Sequence, residues 1–386
     1  MVLVIADDLT GAAELAGIAY SYGLNTALVT RVPEIAPECD VLVVASDTRS
    51  MSEDEAVSVT HKVCRALLAL KPASGSASQF PTILFKKVDS ALRGYVVAEL
   101  QAFLSEMPQQ KVLYMPANPS HNRIIRGGRY FIQGVPIDNT PFANDPDFPV
   151  TSSSVCLQLG ITAHSGIIVA DAEDEADLQR CIALAEAQKA LLAGAADLFS
   201  ALLKRLGHVP CKSVKGADSG VLDENGPTLI VCGSTMSTDL SRQPFVQRRK
   251  LPLSSMPRSV FDGEEGTAEW MATINARHLT KSSMQPANNG LVLNIPFESS
   301  KTRQQALRLR NTMAEVVAQL VDKLKPTELV LEGGSTAFAV AKALHWSRFR
   351  LTQQISPGVV RMESLDSPGT HLTLKPGSYP WNHLFE

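Results

Sequence analysis

Two adjacent carboxylates, Asp7 and Asp8, close an unbroken aliphatic run, Val2-Leu3-Val4-Ile5-Ala6, and are followed by Thr10 and Gly11. A run with no polar break reads as a buried parallel strand. The residues after it, from Ala12 to Ala19, read as a small-residue helix. Open α/β sheets bind ligands at the carboxyl ends of their strands, so Asp7, Asp8 and Thr10 stand where chemistry is done. A single aspartate there is explained by helix capping. Two of them, beside a hydroxyl and a glycine, point to function.

Three further strand ends carry the same kind of residue. Asp40 to Ser46 runs into Asp47-Thr48-Arg49, Thr82 to Lys87 into Asp89-Ser90-Ala91-Leu92-Arg93-Gly94, and Lys111 to Met115 into Pro116-Ala117-Asn118. If these strands are parallel, all four groups gather along one sheet edge. Arg and Lys there would hold a carboxylate, and Asp and Asn would bond hydroxyls, which suits a small polyhydroxylated anion. Asp89 and Arg93 are also four apart, the spacing of an ion pair at a helix start. Lys87 and Ser90 crowd the same turn, which favours a site. The turn-rich stretch from Ser120 to Pro149 carries Arg123, Arg126 and Arg129 beside Gly127-Gly128. It either closes over an anion or is an ordinary basic loop.

These residues need a scaffold, and the chain supplies one. At 386 residues it predicts two or three domains, and 45% hydrophobic content with a net charge of −3 gives room for more than one core. There is no basic excess for nucleic acid and no apolar run long enough for a bilayer, and the chain opens inside its first strand without a signal peptide. Six scattered cysteines with no C-x-x-C pair predict cytoplasmic thiols and no metal site. Strands alternate with helices, Ser52 capping one that starts at Glu53, which predicts a parallel, doubly wound sheet. Ile167 to Ala172 reads as a strand, Glu173 to Ala193 as a helix, and Gly194-Ala195-Ala196 as the opening of another. Residues 1–207 form the first domain and the Gly/Ser/Lys/Asp-rich stretch 208–227 a linker. Residues 228–386 form a second α/β domain, so that each domain has a mostly parallel doubly wound sheet flanked by helices.

The second domain repeats a strand-turn-helix pattern. Thr228 to Cys232 precedes Gly233-Ser234-Thr235-Met236-Ser237, and Glu328 to Leu331 precedes Glu332-Gly333-Gly334-Ser335-Thr336. His371 to Lys375 ends in Pro376-Gly377. Such turns offer backbone N–H groups and hydroxyls to phosphate, or are simple strand-helix connections. G-x-x-x-x-G-K-[ST], G-x-G-x-x-G and H-E-x-x-H are all absent, which excludes a Walker loop and a Rossmann dinucleotide site.

Together the blocks Ile5 to Ala12, Lys86 to Gly94, Gly233-Ser234 through Gln243, Gly333 to Ala337 and Leu374 to Gly377 resemble the four-carbon acid sugar kinase family. They stand in the family's order and span nearly the whole chain, and Gly194-Ala195-Ala196-Asp197-Leu198 resembles a further block. The chain departs from the family at Ser120-His121-Asn122-Arg123 and at Phe142 to Pro146, and is somewhat short. The resemblance implies ATP-dependent phosphorylation of the 4-hydroxyl of threonate, erythronate or a 3-oxo relative. The N-terminal domain would take the acid sugar and the C-terminal domain ATP, with Mg²⁺ on the ATP phosphates and few protein ligands of its own. Ser234, Ser237, Gly333, Gly334, Ser335, Thr336 and Gly377 would contact the nucleotide. Lys87, Asp89, Ser90, Arg49 and Asn118 would face the sugar acid. Asp8, with Asp7 in reserve, would accept the hydroxyl proton, and Arg93 and Lys87 would fix the carboxylate or the moving phosphoryl. The implied partners are the acid sugar and ATP, without nucleic acid or membrane, and a homodimer is compatible with them.

Two other classes fit parts of the pattern. One is a small-anion or nucleotide binding protein without chemistry; the other is a sugar-acid isomerase or aldolase whose C-terminal glycine turns are scaffold. Acid-dependent consumption of ATP separates all three.

Overall fold

The computed structural model describes residues 1–71, 83–106, 111–211, 226–233, 243–279, 290–297, 302–377 and 381. The chain divides into two compact units, 1–214 and 215–386, each a mixed α/β structure built on its own strands.

Unit 1 begins with β1 (Val2–Ala6), buried at every position, and α1 (Leu9–Ser21). Asp8 caps α1, its Oδ1 accepting the Gly11 N–H at 2.8 Å, one of the donors a helix start leaves unpaired. The buried face of α1 is largely Ala and Gly, so the helix lies close against the sheet. Then come β2 (Thr26–Val29), β3 (Val41–Ala45) and α2 (Glu53–Leu68). Ser52 starts α2 with a reciprocal capping box to Glu55. β4 (Ile83–Lys87), α3 (Val96–Glu106) and β5 (Val112–Met115) follow.

The segment after Asn118 is not a plain loop. It folds into a three-stranded antiparallel sheet of β6 (Arg123–Arg126), β7 (Arg129–Ile132) and β8 (Val135–Pro136). Asp171 accepts the N–H groups of Gly127 and Gly128 at 2.6 and 2.9 Å and ties down the β6–β7 turn. After α4 (Val155–Leu159) and β9 (Ile167–Val169), α5 (Glu175–Gln188) ends at Lys189, whose φ is 52°. The helix expected to reach Ala193 therefore stops early, and Leu191–Gly194 is a strand, β10, followed by α6 (Ala196–Arg205). Leu, Ala and Lys favour a helix locally, but all four β10 residues are buried between β4 and β5, and sheet pairing overrides propensity.

The unit 1 strands run in the order β2-β3-β1-β4-β10-β5-β9, all parallel. After β1 the chain moves toward β3 and β2; after β4 it moves the other way, toward β5. The carboxyl ends of neighbouring β1 and β4 therefore flank a topological switch point, where open sheets bind ligands. Phe85 and Phe199, both fully buried, meet edge to face at 5.2 Å beneath it.

Unit 2 contains β11 (Thr228–Cys232), α7 (Pro244–Arg248), β12 (Leu253–Ser255), α8 (Arg258–Asp262), α9 (Thr267–His278) and β13 (Gly290–Asn294). It continues with α10 (Arg303–Leu324), β14 (Glu328–Glu332), α11 (Gly334–Ala343), β15 (Arg348–Ser356), β16 (Val359–Ser364) and β17 (His371–Lys375). Its strands run β12-β13-β11-β14-β17-β16-β15, parallel from β12 to β17 and antiparallel for β16 and β15. Its core packs Ile230, Phe245, Val292, Val330 and Trp381. The switch point here lies between β11 and β14, at Gly233 and Gly333.

Candidate active site

In unit 1 the switch point holds a dense ionic cluster with Arg49 at its centre. Its Nε and Nη2 meet Asp7 Oδ2 at 2.8 and 2.7 Å, and its Nη1 meets Asp8 Oδ2 at 3.1 Å and Asp89 Oδ1 at 3.3 Å. One fork thus ties the ends of β1 and β4 to the segment after β3. Asp47, in a left-handed conformation (φ 55°) with its carboxylate accepting from Ser50, turns the chain that delivers Arg49.

Asp89 accepts a bidentate pair from Arg93, at 2.8 and 3.0 Å, and the N–H groups of Ala91 and Arg93. The i,i+4 ion pair therefore forms, but in a turn rather than a helix: α3 starts only at Val96, and Leu92 takes φ 63°. A branched residue there is strained by about 1–3 kcal/mol, and the Asp89 bonds hold it. Gly94 (φ 94°) lets the turn pass Asp7, since an added Cβ would lie 3.2 Å from Asp7 Oδ2. Lys87, buried, reaches Glu14 at 3.2 Å and the Val88 carbonyl at 3.0 Å. Ser90 accepts from Arg123 Nη1 at 2.6 Å, and Tyr130 donates to the Ser90 carbonyl at 2.6 Å.

Burial raises the Asp8 carboxyl above its ordinary value; Arg49 and Lys87 oppose this, and Asp7 reinforces it. Burial would also raise Asp89, but Arg49, Arg93 and Lys87 hold it far below the carboxylate range. Burial works against the charge on Arg49, yet Asp7, Asp8 and Asp89 keep it firmly protonated. Two neighbouring carboxylates thus differ in character: Asp89 is locked as an anion, whereas Asp8 has its proton affinity raised. Asp8 is also the accessible member, with a side chain 20% exposed against 6% for Asp7. Asp7 Oδ1 is buried with no hydrogen-bond partner among the described residues. It lies on a small cavity also lined by Lys86, Lys87, Gly94 and Glu99.

Asp7, Asp8, Arg49, Lys87, Asp89, Ser90 and Arg93 are thus brought together. Asn118 is buried, and its Oδ1 accepts the Asp197 N–H at 3.0 Å in the first turn of α6. Arg126 pairs with Glu173, and Arg129 with Ser153, so of the three loop arginines it is Arg123 that bonds to the Asp89–Arg93 turn. Glu14 is a cluster member the sequence reading passed over. Its signal was its position one α1 turn after Thr10, facing the end of β4.

In unit 2 the three glycine turns meet around the start of α11. Gly333 (φ 90°) has open space where a Cβ would stand, and its N–H donates to the Lys375 carbonyl at 2.8 Å. At Gly233 a Cβ would fall 2.1 Å from Thr336 Oγ1, so the end of β11 touches α11 directly. Ser335 is exposed on the first turn of α11, with Arg310 Nη1 3.3 Å from its hydroxyl. Lys375, buried, donates to Glu332 at 2.8 Å and to the Pro376 carbonyl at 3.0 Å, and lies 4.7 Å from the centre of the Trp381 ring. This pair joins the ends of β14 and β17 and fixes Gly333 and Gly377. Ser234 and Ser237 lie outside the described residues. The helix start and the glycine clearance fit a phosphate group.

Unit 1 gathers carboxylates, guanidinium groups and a hydroxyl at one strand edge, and unit 2 opens a glycine-marked helix start at α11. A sugar-binding N-terminal domain family matches residues 2–160, and a nucleotide-binding C-terminal domain family matches residues 258–379. The chain belongs to the four-carbon acid sugar kinase family. It is similar to a D-threonate kinase of Salmonella typhimurium, at 26% identity over 92% of this chain and 89% of that protein. A 3-oxo-tetronate kinase of Brucella melitensis is 24% identical over 99% of this chain and 93% of the relative. A D-erythronate kinase of Heliobacterium modesticaldum is 31% identical over a shorter part, 40% of this chain and 34% of that one. Two solved structures share the fold, each at 20% identity. One, from Salmonella typhimurium and described as a putative tRNA synthase, has a TM-score of 0.74 over 100% of this chain and 97% of its own. The other, from Haemophilus influenzae, has a TM-score of 0.69 over 99% of this chain and 98% of its own.

Proposed function

We propose that this chain is an ATP-dependent kinase acting on the 4-hydroxyl of a four-carbon acid sugar: D-threonate, D-erythronate or a 3-oxo-tetronate. The observation that carries the reading is the geometry at the switch point. Asp8, its side chain 20% exposed, stands beside a fixed lattice of Arg49, Asp89 and Arg93. Phosphoryl transfer relies on positioning and charge stabilisation rather than on covalent chemistry by the protein. Asp8 accepts the hydroxyl proton as the oxygen attacks phosphorus. Asp7 serves by holding Arg49, and Arg49 in turn orients Asp8 and Asp89. Asp89 and Ser90 bond sugar hydroxyls, while Arg93, a third exposed, and Lys87 counter developing negative charge.

ATP is taken by unit 2, with phosphates at Gly333, Gly334, Ser335 and Thr336 and with Gly377 completing the turn. Among the described residues no cluster of acidic, His or Cys side chains is arranged to hold a metal ion. Mg²⁺ bound to the ATP phosphates would supply charge neutralisation there. No described helix is long and apolar enough to cross a membrane. All six cysteines are free, which suits a reducing cytoplasm. The test is ADP release from Mg·ATP across a panel of tetronates and 3-oxo-tetronates. Acid-dependent ADP with one or more of them supports the reading, and ATP binding without any acid-dependent turnover overturns it.

A further inference from the structure

Charge balance across the unit 1 site singles out one cation. Arg49 faces Asp7, Asp8 and Asp89; Lys87 faces Glu14; Arg93 faces Asp89. Each of these is compensated before any substrate arrives. Arg123 differs: its partners among the described residues are neutral. Nη1 donates to the Ser90 hydroxyl at 2.6 Å and lies 3.4 Å from the Ser90 carbonyl, and the guanidinium sits 5.7 Å from the centre of the Phe142 ring. A fork-shaped cation held by neutral groups, with no ion-pair partner among the described residues, has the geometry to take a carboxylate.

Its placement is built rather than incidental. Asn122 takes φ 54° and turns the chain into β6. The backbones of Asn118 and Arg123 exchange two hydrogen bonds, at 2.9 and 3.1 Å. Tyr130, fully buried on β7, donates to the Ser90 carbonyl at 2.6 Å and lies 3.2 Å from that of Pro116, clamping the hairpin onto the Asp89–Arg93 turn. The small antiparallel sheet thus delivers to the residue next to Asp89 a guanidinium without an ion-pair partner among the described residues.

We propose that Arg123 seats the substrate's carboxylate, and that this contact selects sugar acids over their neutral analogues. The inference rests on the kinase reading of the same site. In a four-carbon acid the carboxylate and the 4-hydroxyl are at opposite ends. Asp8 and Arg123 stand at opposite ends of the chain of contacts Asp8–Arg49–Asp89 and Ser90–Arg123, leaving the central hydroxyls to Asp89 and Ser90.

The experiment compares wild type, Arg123→Gln and Arg123→Lys. It measures kcat and KM for threonate and erythronate, and inhibition by the matching tetronamides, whose amide replaces the carboxylate. For Arg123→Gln the expected result is a KM for the acid raised about 100-fold, with kcat within about threefold and tetronamide inhibition unchanged. Arg123→Lys, which keeps charge but loses the fork, recovers part of the affinity. A KM within about threefold of wild type, a loss confined to kcat, or parallel weakening of acid and amide would overturn the proposal. If wild type turns over neither these acids nor the matching 3-oxo-tetronates, the kinase reading fails instead. Calorimetric binding of the two acids to wild type and Arg123→Gln then decides this proposal by the same ratio.

Discussion

Replacing Asp8 by asparagine isolates its chemistry from its structural duty. Asp8 Oδ1 caps α1 through the Gly11 N–H at 2.8 Å, and Oδ2 meets Arg49 at 3.1 Å. An asparagine oxygen keeps the cap, since Asn and Asp cap almost equally well, and Arg49 retains Asp7 and Asp89. Folding should therefore change by less than about 1 kcal/mol, whereas Asp8→Ala removes the cap as well. The proton acceptor is lost outright. General-base assistance is worth about 10²- to 10⁴-fold, or roughly 3–5 kcal/mol at 1.36 kcal/mol per decade. Asp8→Asn should lower kcat by that range, with the KM for ATP unchanged and the melting temperature within a few degrees. The pH profile gives a second readout. The base must be ionised and burial raises its pKa above 3.8, so kcat/KM rises with pH through that raised value and then levels. In the variant this acidic limb disappears. An Asp8→Asn enzyme within tenfold of wild type, or one with the limb intact, would refute the assignment.

Arg49→Met leaves the Asp7, Asp8 and Asp89 carboxylates uncompensated in a buried cluster; removing one partner of such a set costs about 3–5 kcal/mol, readable as a lower urea midpoint. Arg49→Lys should recover little of it, because one ammonium cannot span three carboxylates. Asp89, with its folded pKa depressed, adds stability at neutral pH that fades as acid protonates the group below its unfolded value near 3.8. The urea midpoint of Asp89→Asn should therefore depend less on pH below 4 than that of wild type. At Gly333, alanine must adopt φ 90°, at a cost of about 1–3 kcal/mol. It also fills the open space proposed for phosphate, so the KM for ATP should rise while binding of the acid, followed by calorimetry, is unchanged. Lys375→Met strands the buried Glu332 carboxylate and should destabilise unit 2 by about 3–5 kcal/mol.

The site was more legible in the sequence than the fold around it. Asp7, Asp8, Arg49, Lys87, Asp89 and Arg93 declare themselves because each follows a short apolar run, and parallel pairing carries strand ends to one edge. Asn118 follows the same rule, and its Oδ1 takes the Asp197 N–H at the start of α6, a partner only the folded chain brings near. β10 was hidden because Leu191-Leu192-Ala193 continues a helical composition, and only its slot between β4 and β5 makes it a strand. The hairpin carrying Arg123 looked like loop because its short strands are punctuated by Gly127-Gly128 and Gly134. Of its arginines, local sequence gives no means of telling Arg123 from Arg126 or Arg129. What separates them is the tertiary contact with Ser90.

The central claim is that unit 1 presents the 4-hydroxyl of an acid sugar to phosphorus with Asp8 as base. It is tested most directly by ³¹P–¹H correlation NMR of the product formed from Mg·ATP and the preferred four-carbon acid. Wild type should form a phosphate ester whose phosphorus couples to the protons on C4, and Asp8→Asn almost none. Phosphorus on the carboxylate or on another hydroxyl, or an ester formed equally well by the variant, would contradict it.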